Sequence, residues 1–173
     1  LNPQSRIRIV QGNIVSQDTD AIVNAANSEL KRGEGVCGAI FAAAGPELET
    51  ACDAIGGCPT GEARITPGFR LKARHIIHAV GPIYRNGTSG EATLLEGAYR
   101  SSLELCAEHQ CRSVAFPAIS TGIYGYPKEE AAATAIRIVS DWLFHQTMPE
   151  EVVFVLFTNE DRDLYEEAAA RLV

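Results

Sequence analysis

Two hydrophobic periods alternate along this chain. Arg6-Ile7-Arg8-Ile9-Val10 places apolar side chains at every second position, as a strand does, and Ala21-Ile22-Val23 is a short apolar run suited to a strand covered on both faces. A helical segment follows at 39–44 and stops at Gly45-Pro46. Pro46 suits the first turn of a second helix reaching about Ile55, with glutamates near its start, where the helix dipole favours them. Strands are expected at Ala63–Thr66 and His75–Val80. From Glu91 to His109, residues Leu94, Leu95, Ala98, Tyr99, Leu103 and Leu105 recur at helical spacing. Ser113–Phe116 reads as a strand, 117–126 as a loop and Pro127 to about Phe144 as a helix. Val152–Phe157 and a helix from about Asp161 close the chain.

Strands and helices largely alternate, which predicts an α/β fold with a mixed, mostly parallel sheet covered by helices on both faces. Ligands of such sheets sit at the carboxyl ends of strands. The polar or glycine-rich segments after strands one, two, five and six all fall there.

Composition narrows this picture. A length of 173 residues, with 46% hydrophobic and 21% charged, fits one domain spanning 1–173, and no apolar run is long enough to span a bilayer. Neither an initiator Met nor a hydrophobic signal run opens the chain, so Leu1 reads as a trimmed start, with a larger parent chain left open. Fifteen basic against 22 acidic residues give a net charge of −7, which disfavours an anionic membrane or strong nucleic-acid binding. Any anionic ligand has to be held locally. The five cysteines are irregularly spaced, without zinc spacing, and read as reduced thiols of a cytoplasmic protein. Cys106 and Cys111 fall near a helix end and a strand start, where a small buried thiol is ordinary. No metal or cofactor is expected.

Gly33-Glu34-Gly35-Val36-Cys37-Gly38 puts three glycines immediately before a helix. Successive backbone N–H groups in such a loop can meet a phosphate without Lys or Arg. The segment matches neither common glycine-rich nucleotide motif, and glycines before helices also serve simply as turn formers. A second segment, Ser120-Thr121-Gly122-Ile123-Tyr124-Gly125, follows another strand, and two facing anion loops suggest a diphosphate. The plainer reading leaves Gly122 and Gly125 as turns, with Tyr124 packed on the sheet rim. In Asn24-Ala25-Ala26-Asn27, two carboxamides can meet ribose hydroxyls and the alanines permit close approach; either Asn can instead cap a turn.

The order of Gln11-Gly12-Asn13-Ile14, Val23-Asn24-Ala25-Ala26-Asn27, Gly35-Val36-Cys37-Gly38-Ala39-Ile40, Ala44-Gly45-Pro46, Cys58-Pro59-Thr60-Gly61, His78-Ala79-Val80-Gly81-Pro82 and Phe116 through Pro127 resembles the macrodomain family. The resemblance covers essentially the whole chain and is strongest to the bacterial O-acetyl-ADP-ribose deacetylase and mono-ADP-ribosyl hydrolase branch. It implies a three-layer α/β/α sandwich that binds ADP-ribose or an ADP-ribosylated protein. By that resemblance Asn13 and Ile14 meet the adenine and Phe157 lines its face. Gly35, Val36 and Gly38, with Ser120, Thr121, Gly122, Ile123 and Tyr124, hold the diphosphate. Asn24 and Ala25 border the ligand, Asn27 contacts the distal ribose, and Tyr124 closes over that ribose.

The chain departs from the branch where chemistry is expected. Asn13 stands where Asp is usual, keeping an acceptor without its charge. Cys37 replaces the Asp proposed in the branch to position or activate water, and Arg32, Glu34 and Phe41 stand where Gly, Gly and His are more common. Cys37 can offer its backbone N–H to a phosphate, act as a thiolate, or simply pack. Asn27 and Cys37 are the candidate catalytic positions for hydrolysis of an ester at the distal ribose, in O-acetyl-ADP-ribose or on an ADP-ribosylated acidic side chain. The alternative is a non-catalytic ADP-ribose reader, which the missing carboxylate favours.

Overall fold

Strand β1 (Ile7–Gln11), β2 (Ala21–Ala26), β3 (Ala63–Pro67), β4 (His75–Val80), β5 (Ser113–Phe116) and β6 (Glu151–Leu156) form one sheet in the computed structural model, which describes residues 2–172. Their order is β1-β6-β5-β2-β4-β3. All neighbours are parallel except β3, which runs antiparallel to β4 at one edge. Alternation along each interior strand feeds two cores. Val152, Phe154 and Leu156 enter one with Tyr99, Leu103, Ile136 and Tyr165, while Val153 and Val155 enter the other with Ile40, Phe41 and Leu48. Helices α1 (Gly35–Ala44) and α2 (Pro46–Ile55) therefore cover one face, and α3 (Glu91–Glu108), α4 (Lys128–His145) and α5 (Asn159–Ala170) the other. This is the expected three-layer α/β/α sandwich. Among the described residues no helix is long and apolar enough to cross a membrane.

Each helix buries a stripe at the helical period. In α3 the stripe is Glu91, Leu95, Ala98, Tyr99, Ser102, Leu103 and Cys106; in α1 it is Cys37, Ile40, Phe41 and Ala44. At the end of α3, Gln110 takes a φ of 55°, Cys111 N–H donates to the Cys106 carbonyl at 2.9 Å and Gln110 N–H to that of Ala107 at 3.4 Å. This is a Schellman stop, whose usual apolar contact falls here between two fully buried thiols, Cys106 and Cys111.

Of the boundaries that differ from the sequence expectation, three move a site residue. Strand β2 does not end at Val23: its register with β4 continues through Asn24↔His78 to Ala26↔Val80, so Asn24 lies inside the sheet. Helix α1 starts at Gly35 rather than Ala39, making the glycine segment its first turn. Strand β6 ends at Leu156, leaving Phe157 just beyond it.

A polar stripe crosses the second core. Asn24 Nδ2 donates to His78 Nδ1 at 3.0 Å, so the imidazole proton sits on Nε2, facing Thr66 Oγ1 at 3.0 Å; that hydroxyl donates to the Pro67 carbonyl at 3.2 Å. Burial without an ionic partner pushes the His78 imidazole down to about 4 from 6.5. The unfolded chain therefore takes up a proton at higher pH than the folded chain, and stability falls as pH drops from 6.5 towards 4. A shift of this size corresponds to about 3 kcal/mol. Urea unfolding across that window is expected to lose stability of this order, and His78→Asn to flatten the slope; equal slopes would count against this role of the imidazole.

Candidate functional site

The segments following β2 and β5 meet where the parallel strands end. After β2, the Asn27 carboxamide ties down the chain: Nδ2 donates to the Lys31 carbonyl at 2.8 Å and Oδ1 accepts the Lys31 N–H at 3.0 Å. This forces Leu30 into a left-handed conformation, φ 57°, with its side chain buried. Such a conformation costs an L-residue roughly 1–2 kcal/mol. An ion pair from Lys31 Nζ to Asp53 of α2 anchors the same turn. Cys37 Sγ donates to the Lys31 carbonyl at 3.6 Å and accepts from Asn24 Nδ2 at 3.8 Å. Asn27 and Cys37 thus converge on one carbonyl, and the buried stripe ends at the Cys37 sulfur.

Helix α1 begins here with Glu34 as N-cap, whose side chain makes no capping bond. The earliest backbone bond of the helix is Gly38 N–H to the Glu34 carbonyl at 3.4 Å. Among the described residues, the N–H groups of Gly35, Val36 and Cys37 have no partner. With the helix dipole they present fixed positive charge without a basic side chain. Gly38 is required by packing, because a Cβ there would stand 2.6 Å from the Gly33 carbonyl oxygen.

The segment between β5 and α4 is built likewise. Tyr126 N–H donates to the Ser120 carbonyl at 2.9 Å and Gly125 N–H to that of Gly122 at 3.0 Å. The turn thus closes on itself, and among the described residues the N–H groups of Thr121, Gly122, Ile123 and Tyr124 are unpaired. Ser120 combines a left-handed φ of 68° with a buried hydroxyl that has no partner, a costly arrangement of the kind found at ligand sites. Gly122 faces open space, Ile123 is 79% exposed and Tyr124 is half-buried. Burial first, and the nearby Cys37 sulfur second, push the Tyr124 phenol up.

The remaining expected residues lie along the same edge. Phe157 is 77% exposed, and its carbonyl accepts from Gln11 Nε2 at 3.0 Å, joining the ends of β1 and β6. Asn13 caps the 3-10 turn Ile14–Ser16 by accepting the Val15 N–H at 3.2 Å, leaving its Nδ2 free, while the Ile14 side chain is buried in the second core. Ala25 is half-buried and points to the face opposite Asn24. Asn24 is itself 1% exposed and reaches the site only through Cys37. Among the described residues, no group of three or more His, Cys, Asp or Glu can hold a metal ion.

The segment after β4 carried no expected site role. Tyr84 N–H donates to the Tyr124 carbonyl at 2.8 Å, and a Cβ on Gly81 would meet Ser120 Oγ at 2.2 Å. Residues 81–90 therefore back the second loop. Their signal was Asn86-Gly87 and Ser89-Gly90 directly ahead of an acidic residue that opens a helix.

The Macro domain family model matches residues 23–135, which include β2 from Val23 on, β3 to β5 and both glycine segments. The chain belongs to this family. A Macro domain-containing protein of Mesorhizobium japonicum is 55% identical over 167 residues, 96% of this chain and 95% of its own length. A Salmonella typhimurium protein named O-acetyl-ADP-ribose deacetylase is 51% identical over 165 residues, covering 93% of this chain and 92% of its own. A mutant of the Oceanobacillus iheyensis macrodomain, solved with ADPR, superposes with a TM-score of 0.91 at 44% identity, over 95% of this chain and 91% of that one.

In this Macro domain the turn leading into α1 tolerates no side chain at position 38. Gly38→Ala is expected to cost about 1–3 kcal/mol, the usual penalty of overpacking, read as a lower urea midpoint. An unchanged midpoint would mean that Gly33 is free to move.

Proposed function

We propose that this Macro domain binds ADP-ribose and hydrolyses ester-linked derivatives at the distal ribose, O-acetyl-ADP-ribose or mono-ADP-ribosyl groups on acidic side chains. The supporting observation is the pairing of two sets of unpartnered backbone N–H groups, at 35–37 and 121–124, with Asn27, Cys37 and Tyr124 at one end and exposed Phe157 at another strand end. Two such sets suit a diphosphate. Phe157 offers a stacking face to adenine, worth roughly 1–3 kcal/mol. Asn13 Nδ2 and its second Oδ1 lone pair remain for the base edge. The names and bound ligand of the relatives support the same assignment.

For hydrolysis, water adds to the acyl carbon, the bond to the ribose oxygen breaks, and that oxygen leaves as a hydroxyl. Asn27 keeps one N–H and one lone pair after tying down Lys31, enough to orient a ribose hydroxyl. The Cys37 thiol is already committed to the Lys31 carbonyl and Asn24, so it is poorly placed to take a proton from water. A phosphate oxygen of the substrate then serves as the base, and positioning carries most of the acceleration. The missing carboxylate supports a second reading, a module that binds ADP-ribose without turnover.

Cys37→Asp separates these readings. On the hydrolase reading the unaltered chain turns over O-acetyl-ADP-ribose, Cys37→Ala stays within about threefold of it, and Cys37→Asp gains up to about 10²-fold in kcat, the lower range for a restored general base. Calorimetric binding with no turnover in the unaltered chain would establish the reader instead. Gly122→Glu is expected to weaken ADP-ribose binding by more than about 100-fold, through bulk and like charge, with the fold intact because a Cβ there meets nothing. Unchanged affinity would remove 121–124 from the diphosphate site.

A further inference from the structure

One buried carboxylate outside this machinery is bonded more fully than a helix terminus requires. Glu91, first residue of α3 and 3% exposed, accepts the Arg85, Asn86 and Gly87 N–H groups on Oε2 at 3.0 Å each and the Ser89 N–H on Oε1 at 2.7 Å. It gathers four backbone donors of the turn between β4 and α3. From that turn, contact passes to the second loop at three places: Tyr84 N–H to the Tyr124 carbonyl, Gly81 against Ser120, and the Tyr84 ring edge-on to Tyr126 with centroids 4.9 Å apart. The N–H groups of Asn86 and Arg85, then that of Gly87, outweigh burial and pull the Glu91 carboxyl down to about 2. It therefore stays ionised wherever the protein is folded under ordinary conditions.

We infer that Glu91 is a positioning residue for the 120–124 loop, holding Tyr124 over the distal ribose through the splint formed by residues 81–90; this rests on the reading of 120–124 as the diphosphate and ribose wall. The carboxylate touches no part of that wall. It fixes the turn, the turn fixes Tyr84, and the Tyr84 N–H fixes the backbone of Tyr124. A backbone carboxylate nest of this kind is strong because each bond is charge-assisted and both oxygens only accept. Gln at position 91 has the same shape, but it offers one neutral acceptor and turns an amide N–H towards another donor. Asp keeps the charge and shortens the reach by one methylene.

The test compares Glu91→Gln and Glu91→Asp by hydrogen exchange without ligand and by calorimetry with ADP-ribose and with AMP. Glu91→Gln is expected to speed exchange about tenfold in both 81–90 and 117–126, leaving 33–44 unchanged, and to weaken ADP-ribose about tenfold with AMP within about twofold. Glu91→Asp recovers most of the loss. Faster exchange confined to 81–90, equal weakening of AMP and ADP-ribose, or a better result for Gln than for Asp would each overturn the inference, the last because a space-filling role is met by shape. Should Glu91→Gln fail to fold, exchange in the unmutated chain under rising denaturant decides: one shared opening for 81–90 and 117–126 is expected, and separate openings overturn it. Absence of ADP-ribose binding by the unmutated chain would sink the functional reading alone, since the exchange measurements need no ligand.

Discussion

An anion approaching a chain of net charge −7 is repelled at distance and can be held only where local dipoles are aligned. Everything about the candidate site follows from meeting that constraint with backbone. Parallel strands end together at one edge of the sheet, so the turns that follow β2 and β5 lie side by side. Each turn satisfies some of its backbone groups internally and, among the described residues, leaves successive N–H groups unpaired at 35–37 and 121–124. Such groups cost stability when buried and gain strength when water is excluded, which makes them useful only where the surrounding structure enforces their geometry.

That enforcement comes from below and behind the loops. Beneath them, Thr66, His78 and Asn24 form a buried chain of hydrogen bonds whose last free donor is spent on the Cys37 sulfur. Beside them, Asn27 and Lys31 hold Leu30 in a left-handed conformation, and Asp53 of α2 fixes the Lys31 ammonium. Behind the second loop stands the 81–90 segment, nailed to α3 by Glu91. Strain at Leu30 and Ser120 persists because each neighbouring group is held in turn by another element of the sandwich.

On the proposed function, Cys37 changes the chemistry of the site without altering this scaffold. A thiol donates to the Lys31 carbonyl, as a carboxylate cannot, so the turn keeps its bond while losing a base. On the proposed reading the backbone donors of the diphosphate wall are present, and the carboxylate usual in the hydrolase branch is replaced by a thiol already bonded within the protein.

Periodicity along the chain determined the α/β alternation, the helix faces and the loops worth inspecting, because strand and helix periods and glycine punctuation are local properties. The motif order carried the family, and with it the expectation of a three-layer sandwich. Local pattern could not say that Asn24 lies inside β2, since an apolar run shows no polar end until a neighbouring strand extends the pairing. It could not tell that the glycine segment is the first turn of α1, nor that Ala25 and Asn24 face opposite layers. In the sequence Glu91 marks only the start of the third helical stretch, and its bonds to 85–89 exist only once the turn from β4 folds over it. Those facts depend on pairing and packing between residues distant in sequence, and only the tertiary structure decides which backbone donors are left free for a ligand.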